Sequence, residues 1–177
     1  MRIVGGTHRG RMIDRVMVDT TRETADMVKV AVFNMLENQC KGTVLDLFAG
    51  SGAYGIEAIS RGAEKTYFVD SNLSAIKTIE KNIKMLKEES KASIHKMTYD
   101  KFIENLDGLA FDYIFLDPPY QMNVYEEVIQ KLEPFIKEDG YVICESDKKV
   151  VLPKSIKSLE KIKDKTYGIK RISIYQK

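Results

Sequence analysis

The chain has no tryptophan and, among 177 residues, only two histidines, two cysteines and four prolines. Cys40 and Cys144 form no C-x-x-C pair, so neither a disulfide framework nor a cysteine zinc site is expected, and both read as reduced, packed thiols. His8 and His95 lack partners at ligand spacing, so no metal site is expected; they read as a surface residue and a strand residue. No run approaches the roughly 18 apolar residues of a membrane span, and MRIVGGTHRGRM lacks the apolar segment of a secretory signal. The expectation is a cytoplasmic protein with no membrane partner. Repeats, low-complexity tracts and Pro/Gly/Ser-rich linkers are also missing. With 44% hydrophobic residues, the chain suffices for one domain, residues 1–177, burying about 70% of its unfolded surface.

What is present is unevenly charged. Residues 1–41 carry seven Lys/Arg and five Asp/Glu, residues 42–146 eleven and eighteen, and residues 147–177 ten and three. A net +2 overall thus divides into +2, −7 and +7. That asymmetry fits a polyanion passing the chain ends while the middle handles something cationic or small, and it equally fits lysines that only solvate a surface.

Apolar runs alternate with amphipathic stretches. TVLDLFA (43–49), KTYFVD (65–70), ASIHKM (92–97), YIFLD (113–117) and YVICES (141–146) predict short buried strands, and LEKIKDK with YGIKRISIYQK predicts a closing antiparallel hairpin. Helical spacing is expected over 53–61, 73–88, 101–106 and 123–136. Seven strands alternating with helices imply an α/β, Rossmann-like fold, mostly parallel, with helices on both faces. Before the sheet, RIVGG and RGRMI predict a small hairpin, followed by a helix with Val28, Ala31, Val32, Met35 and Leu36 on one face.

In such a sheet, ligands bind beyond the carboxyl ends of the strands. Gly50, Gly52 and Gly55 in DLFAGSGAYG match G-x-G-x-x-G between a strand and a helix. Asp46, four residues before Gly50, would repel a phosphate but suit a cationic ligand. Asp70 ends the second strand 18 residues after Gly52, where an acid accepts ribose hydroxyls or caps the next helix. Asp100, after the third strand, reads as a contact for an adenine amine or as another helix cap.

The stretch FDYIFLDPPYQ (111–121) ends a strand on two prolines. Each proline holds the residue before it extended, and neither offers an N–H. The loop therefore presents two acceptors, the Asp117 carboxylate and the Pro118 carbonyl, then the flat ring of Tyr120. That set can receive a planar group bearing an NH2. The bland reading is a strand ended by a proline turn.

DPPY combined with DLFAGSG resembles the S-adenosylmethionine-dependent amino-methyltransferases of class I fold. RIVGGTHRGR (2–11), then Arg22, Thr24, Asp26 and Val28 in an R-x-T-x-D-x-V stretch, then FNML (33–36), is similar to the bacterial family that methylates N2 of a guanine in 16S rRNA. Glu23, Met27 and Val30 depart from that family's usual proline, basic residue and glutamate. The resemblance implies a 16S rRNA methyltransferase acting, as a monomer, on a small-subunit assembly particle. It implies catalytic Asp117, Pro118, Pro119 and Tyr120, and S-adenosylmethionine held by Asp46, Phe48, Ala49, Gly50, Ser51, Gly52, Asp70 and Asp100. It also implies an RNA-contacting segment 1–41 with Arg2, Arg9, Arg11, Arg15 and Arg22, ahead of a catalytic core 42–177. DPPY also serves N6-adenine DNA methyltransferases, but the chain has no room for their separate recognition region. A nicotinamide dehydrogenase would leave DPPY and Asp46 unexplained, and a non-catalytic RNA-binding factor would have no use for the intact acceptors.

Overall fold

A computed structural model of the protein describes residues 1–16, 22–37, 40–119 and 121–177, with residues 22–25 described by backbone alone. Helix α1 (Arg22–Met35) precedes strand β1 (Gly42–Leu47), α2 (Ala53–Ser60), β2 (Ala63–Asp70), α3 (Leu73–Leu86), β3 (Ala92–Lys96), α4 (Tyr99–Glu104), β4 (Phe111–Leu116), α5 (Tyr125–Leu132), β5 (Ile136–Asp147), β6 (Ser155–Ile156), β7 (Leu159–Tyr167) and β8 (Lys170–Gln176). They form one sheet in the order β3-β2-β1-β4-β5-β8-β7-β6. The pairs from β3 through β5 are parallel, and those from β5 through β8, β7 and β6 are antiparallel.

The parallel strands are apolar on both faces because helices cover both. Leu45, Leu47, Ile114, Leu116, Val142 and Cys144 share one cluster with α4 and α5 residues, including Phe102, Val128, Ile129 and Leu132. Val44, Phe115, Ile143, Ile172 and Ile174 pack on the other face against Val28, Val32 and Phe33 of α1, Leu36 just after it and Tyr54 of α2. Both cysteines are buried and free, and burial pushes both thiols above their ordinary range.

Among the described residues the sheet has eight strands, where seven were expected. The addition is the two-residue β6, paired with β7 at Ser155 and Ile156, too short to carry any periodicity. The fifth strand begins at Ile136, five residues before the apolar run, with an irregularity opposite Phe111 to Tyr113. Helix α5 is shorter than its pattern, because Pro134 lies in a tighter 3-10 turn over Glu133–Phe135 and removes a helical donor. Helix α3 stops at Leu86, with Lys87 in the left-handed region. Ile169 breaks the alternation of the last segment because it lies in the β7–β8 turn, 60% exposed.

The N-terminal hairpin forms, with Arg2 bridged to Met12 and Ile3 exchanging hydrogen bonds with Gly10 and Arg11. Ile3 and Ile13 bury against Ile56, Ile59, Phe68, Ile79 and Ile83. The far end of α2 fixes the arm: Ser60 accepts from Thr7 N and, through its hydroxyl, from His8 N, while Glu57 accepts from Val4 N. Lys29, almost fully buried, donates to Arg2 O at 2.7 Å and to Glu57 at 3.4 Å. His8 departs from the surface residue expected. It is half-buried, 2.6 Å from Glu88, and folding of the arm onto the end of α3 brings that partner in from 80 residues away.

Candidate active site

Register and side-chain alternation assemble the acids. Asp46 lies beside Phe115, and Phe115 beside Ile143. Residues two apart on a strand share a face, so Asp117 and Glu145, two beyond Phe115 and Ile143, stand on the same face as Asp46, at the carboxyl ends of adjacent strands. Asp70 ends the next strand, β2.

The loop after β1 follows from its glycines. Gly50 has φ +54°, and the position of a Cβ there meets nothing within 4 Å, so the loop is open on that side. Gly55 answers to close packing: a Cβ there would lie 2.2 Å from the Phe68 ring. Phe48, although not glycine, holds φ 69°, and its ring lies 5.2 Å from that of Tyr99. A bulky residue in the left-handed region is strained, a condition concentrated at functional sites. Ala49 N donates to Val69 O, and Ser51 O accepts from Asn82.

Asp46 is 3% exposed and accepts from Gly55 N at 2.8 Å. Burial pushes its pKa up to about 7, opposed by the Gly55 hydrogen bond and assisted by the charge of Asp70. Asp70 accepts from Gly50 N at 2.9 Å and from Asn72 N at 2.8 Å. The cap of α3 is Asn72, which accepts from Ser74 N, so Asp70 buttresses both loops. Each oxygen of a carboxylate has a second lone pair, which leaves acceptor capacity for hydroxyls. Asp100 lies in the first turn of α4, 3.0 Å from Lys131 of α5.

Asp117 is half-buried, Pro118 buried and Pro119 exposed, and Met122 N closes the turn on Pro119 O at 2.8 Å. Tyr120 lies outside the described residues. Burial holds the Asp117 carboxyl well above the carboxylate range; Glu145 adds to the shift, Lys170 opposes it, and Asp46 adds further. A cleft with this many close acids is poor for phosphate and fits a cationic sulfonium beside ribose hydroxyls, as S-adenosylmethionine would bring.

The arginines divide. Arg2 and Arg9 are exposed, and Arg11 donates to Met85 O near the end of α3. Met85 is twelve residues past Leu73, or about 18 Å along the helix at 1.5 Å per residue. Arg9 and Arg11 therefore sit at the end of the molecule opposite the Asp117 loop. Arg15 lies with Ser74 and Lys77 at the near end of α3. Arg22 opens α1, and its side chain is outside the described residues. Glu145, Tyr54 and Lys170 were not among the residues expected at the site. Glu145 had a usable signal, since it lies near the carboxyl end of an apolar run, as Asp46, Asp70 and Asp117 do.

The sequence profile of the family described as Conserved hypothetical protein 95 matches residues 1–176. Ribosomal RNA small subunit methyltransferase D of Haemophilus influenzae is 34% identical, covering 99% of this chain and 93% of its own. The Escherichia coli protein of the same name is 28% identical, covering 100% and 90%. A solved structure of a conserved hypothetical protein from Streptococcus pyogenes is 40% identical with a TM-score of 0.80, covering 84% of this chain and 94% of its own. With the class I sheet order, the acidic cleft and near full-length similarity together, the chain belongs to the bacterial ribosomal RNA small-subunit methyltransferase family.

Proposed function

We propose that this enzyme transfers a methyl group from S-adenosylmethionine to the exocyclic N2 amine of a guanine in 16S rRNA. The observation that supports this most is the convergence of Asp46, Asp70 and Asp117 beside the open Gly50 loop. S-adenosylmethionine, when bound, supplies an electrophilic methyl group on a sulfonium. Asp70 accepts its ribose hydroxyls, Asp46 and the loop Phe48, Ala49, Gly50, Ser51 and Gly52 hold its methionine part, and Asp100 takes its adenine amine.

Catalysis in this reading is positioning plus electrostatics. The guanine amine is a poor nucleophile because its lone pair is delocalised into the ring. Asp117 and the Pro118 carbonyl accept its two hydrogens, which favours a pyramidal nitrogen with its lone pair directed out of the base plane. Pro119 stiffens the loop, and Tyr120 stacks on a base that has left its helix. The Asp117 carboxylate offsets the charge developing on nitrogen. Residues 1–41 contact RNA through Arg2, Arg9, Arg11, Arg15 and Arg22, and residues 42–177 do the chemistry. The enzyme acts as a cytoplasmic monomer on a partly assembled small subunit.

The test is product identity. RNA methylated with labelled cofactor and digested to nucleosides should contain N2-methylguanosine by mass spectrometry. Label in N6-methyladenine of duplex DNA, with RNA blank, would overturn the substrate. Asp117→Ala should keep cofactor affinity within about threefold while slowing transfer by roughly 10² to 10⁴; wild-type transfer would remove Asp117 from the chemistry.

A further inference from the structure

Behind Asp117 lies a hydrogen-bonded set that the amine receptor does not use. Glu145 is 9% exposed, and both of its carboxylate oxygens are engaged. The Tyr54 hydroxyl donates to Oε2, and Lys170 Nζ donates to Oε1 at 2.5 Å. Its backbone carbonyl accepts from the Tyr125 hydroxyl at 2.7 Å. Three elements besides its own strand β5 therefore hold this one residue: α2, α5 and β8. Tyr54 is itself fixed, its ring stacked on Phe115 at 5.0 Å and 10°. Lys170 reaches across from the position paired with Asp147, two residues along β5, a diagonal cross-strand contact.

Because Leu116 pairs with Cys144, the next residue of each strand places Asp117 beside Glu145. Among the described residues, the titratable groups acting on Asp117 are Glu145 from β5, Lys170 from β8 and Asp46 from β1, with Tyr54 of α2 facing the same acids. Burial and the adjacent Glu145 keep the Tyr54 phenol well above its ordinary range, so it stays a donor to Glu145.

We propose that Glu145 is a positioning residue that acts through Asp117: clamped by Tyr54 and Lys170, it fixes a negative charge beside Asp117 and makes that carboxylate the acceptor of the proton shed by the methylated amine. Once the nitrogen has gained its methyl group it is cationic. An N–H bond then breaks, its electron pair stays on nitrogen, and the proton forms an O–H bond on Asp117 before passing to water. A like charge beside an acid favours its protonated form, and an adjacent cation opposes this. Glu145 strengthens Asp117 as a base, and Lys170 limits the effect so that Asp117 can ionise again between turnovers. Each Glu145 oxygen already accepts one hydrogen bond, from Tyr54 or from Lys170, so its charge is held in place beside Asp117.

This inference rests on the reading of Asp117 as amine receptor, so the experiment separates the two. The first readout needs no cofactor: the Asp117 side-chain carboxyl is followed by carbon-13 NMR through a pH titration. Glu145→Gln should lower its midpoint by about one unit, and Lys170→Met should raise it by a similar amount. The second readout is the acidic limb of kcat against pH. Transfer requires ionised Asp117, so the limb should move to lower pH in Glu145→Gln and to higher pH in Lys170→Met. In Glu145→Gln, kcat at the plateau should fall about tenfold with KM for RNA little changed, a modest loss for a weakened proton acceptor. A residue that only tied the elements together would give no opposed shifts. Coincident midpoints in wild type and both variants would overturn the proposal, and Lys170→Met alone decides it if Glu145→Gln does not fold. Wild-type rates in Asp117→Asn would instead overturn the receptor reading.

Discussion

Asp46 should make cofactor binding release protons. Its carboxyl is buried and accepts from Gly55 N, and its pKa stands at about 7. A sulfonium in the cleft favours the ionised form, so binding should draw the pKa down and expel the proton. With a pKa of about 7, roughly nine-tenths of the group is ionised at pH 8 and roughly one-tenth at pH 6. If binding selects the ionised form, affinity for S-adenosylmethionine should fall about tenfold between those values, or about 1.4 kcal/mol. S-adenosylhomocysteine has the same amino-acid and ribose groups without the sulfonium charge, and its affinity should change much less. Titration calorimetry at pH 6, 7 and 8, in buffers of different ionisation enthalpy, measures affinity and proton release together. Asp46→Asn, whose amide oxygen can still accept from Gly55 N, should flatten the dependence. The same variant should raise the thermal midpoint of cofactor-free protein at pH 8. An acid whose folded pKa lies above its unfolded value binds more protons when folded, so stability declines as pH rises from about 4 through about 7. Equal affinities at pH 6 and 8, or the same pH dependence for both ligands, would refute the reasoning.

Two further outcomes test the scaffold and the RNA path. Gly55→Ala would set a methyl group 2.2 Å from the Phe68 ring, so the unfolding free energy in urea should drop by about 1–3 kcal/mol, the usual cost of overpacking; an unchanged midpoint would show that α2 can move away from β2. Arg9→Ala and Arg15→Ala should each flatten the log-log slope of RNA affinity against salt by about 0.7–0.9 for every phosphate that the variant no longer neutralises. Slopes unchanged in both would take the arm off the RNA path.

Much of this protein could be read from local sequence, because local physics governs those parts. Strands buried on both faces need continuous apolar runs, so TVLDLF and YIFL marked the centre of the sheet, and alternation with helical spacing implied parallel order. Gly50 and the Pro118–Pro119 pair are constrained by backbone sterics, so their residue types announced turns that the chain does make. Burial of both cysteines likewise followed from composition and spacing. Tertiary structure alone decided what depends on distant segments meeting. Ser155 and Ile156 form a strand only because β7 offers them an edge, and His8 is paired only because the arm folds onto the end of α3. The arm's course also sends Arg9 and Arg11 to the far end of the molecule while Arg15 stays near the cleft, a separation that their spacing of a few residues could not convey. Above all, Asp46, Asp117 and Glu145 span a hundred residues of chain, and strand register sets them on one face. The raised proton affinities of Asp46 and Asp117 come from burial and from the charges gathered around them, which no residue carries in its own neighbourhood of the sequence.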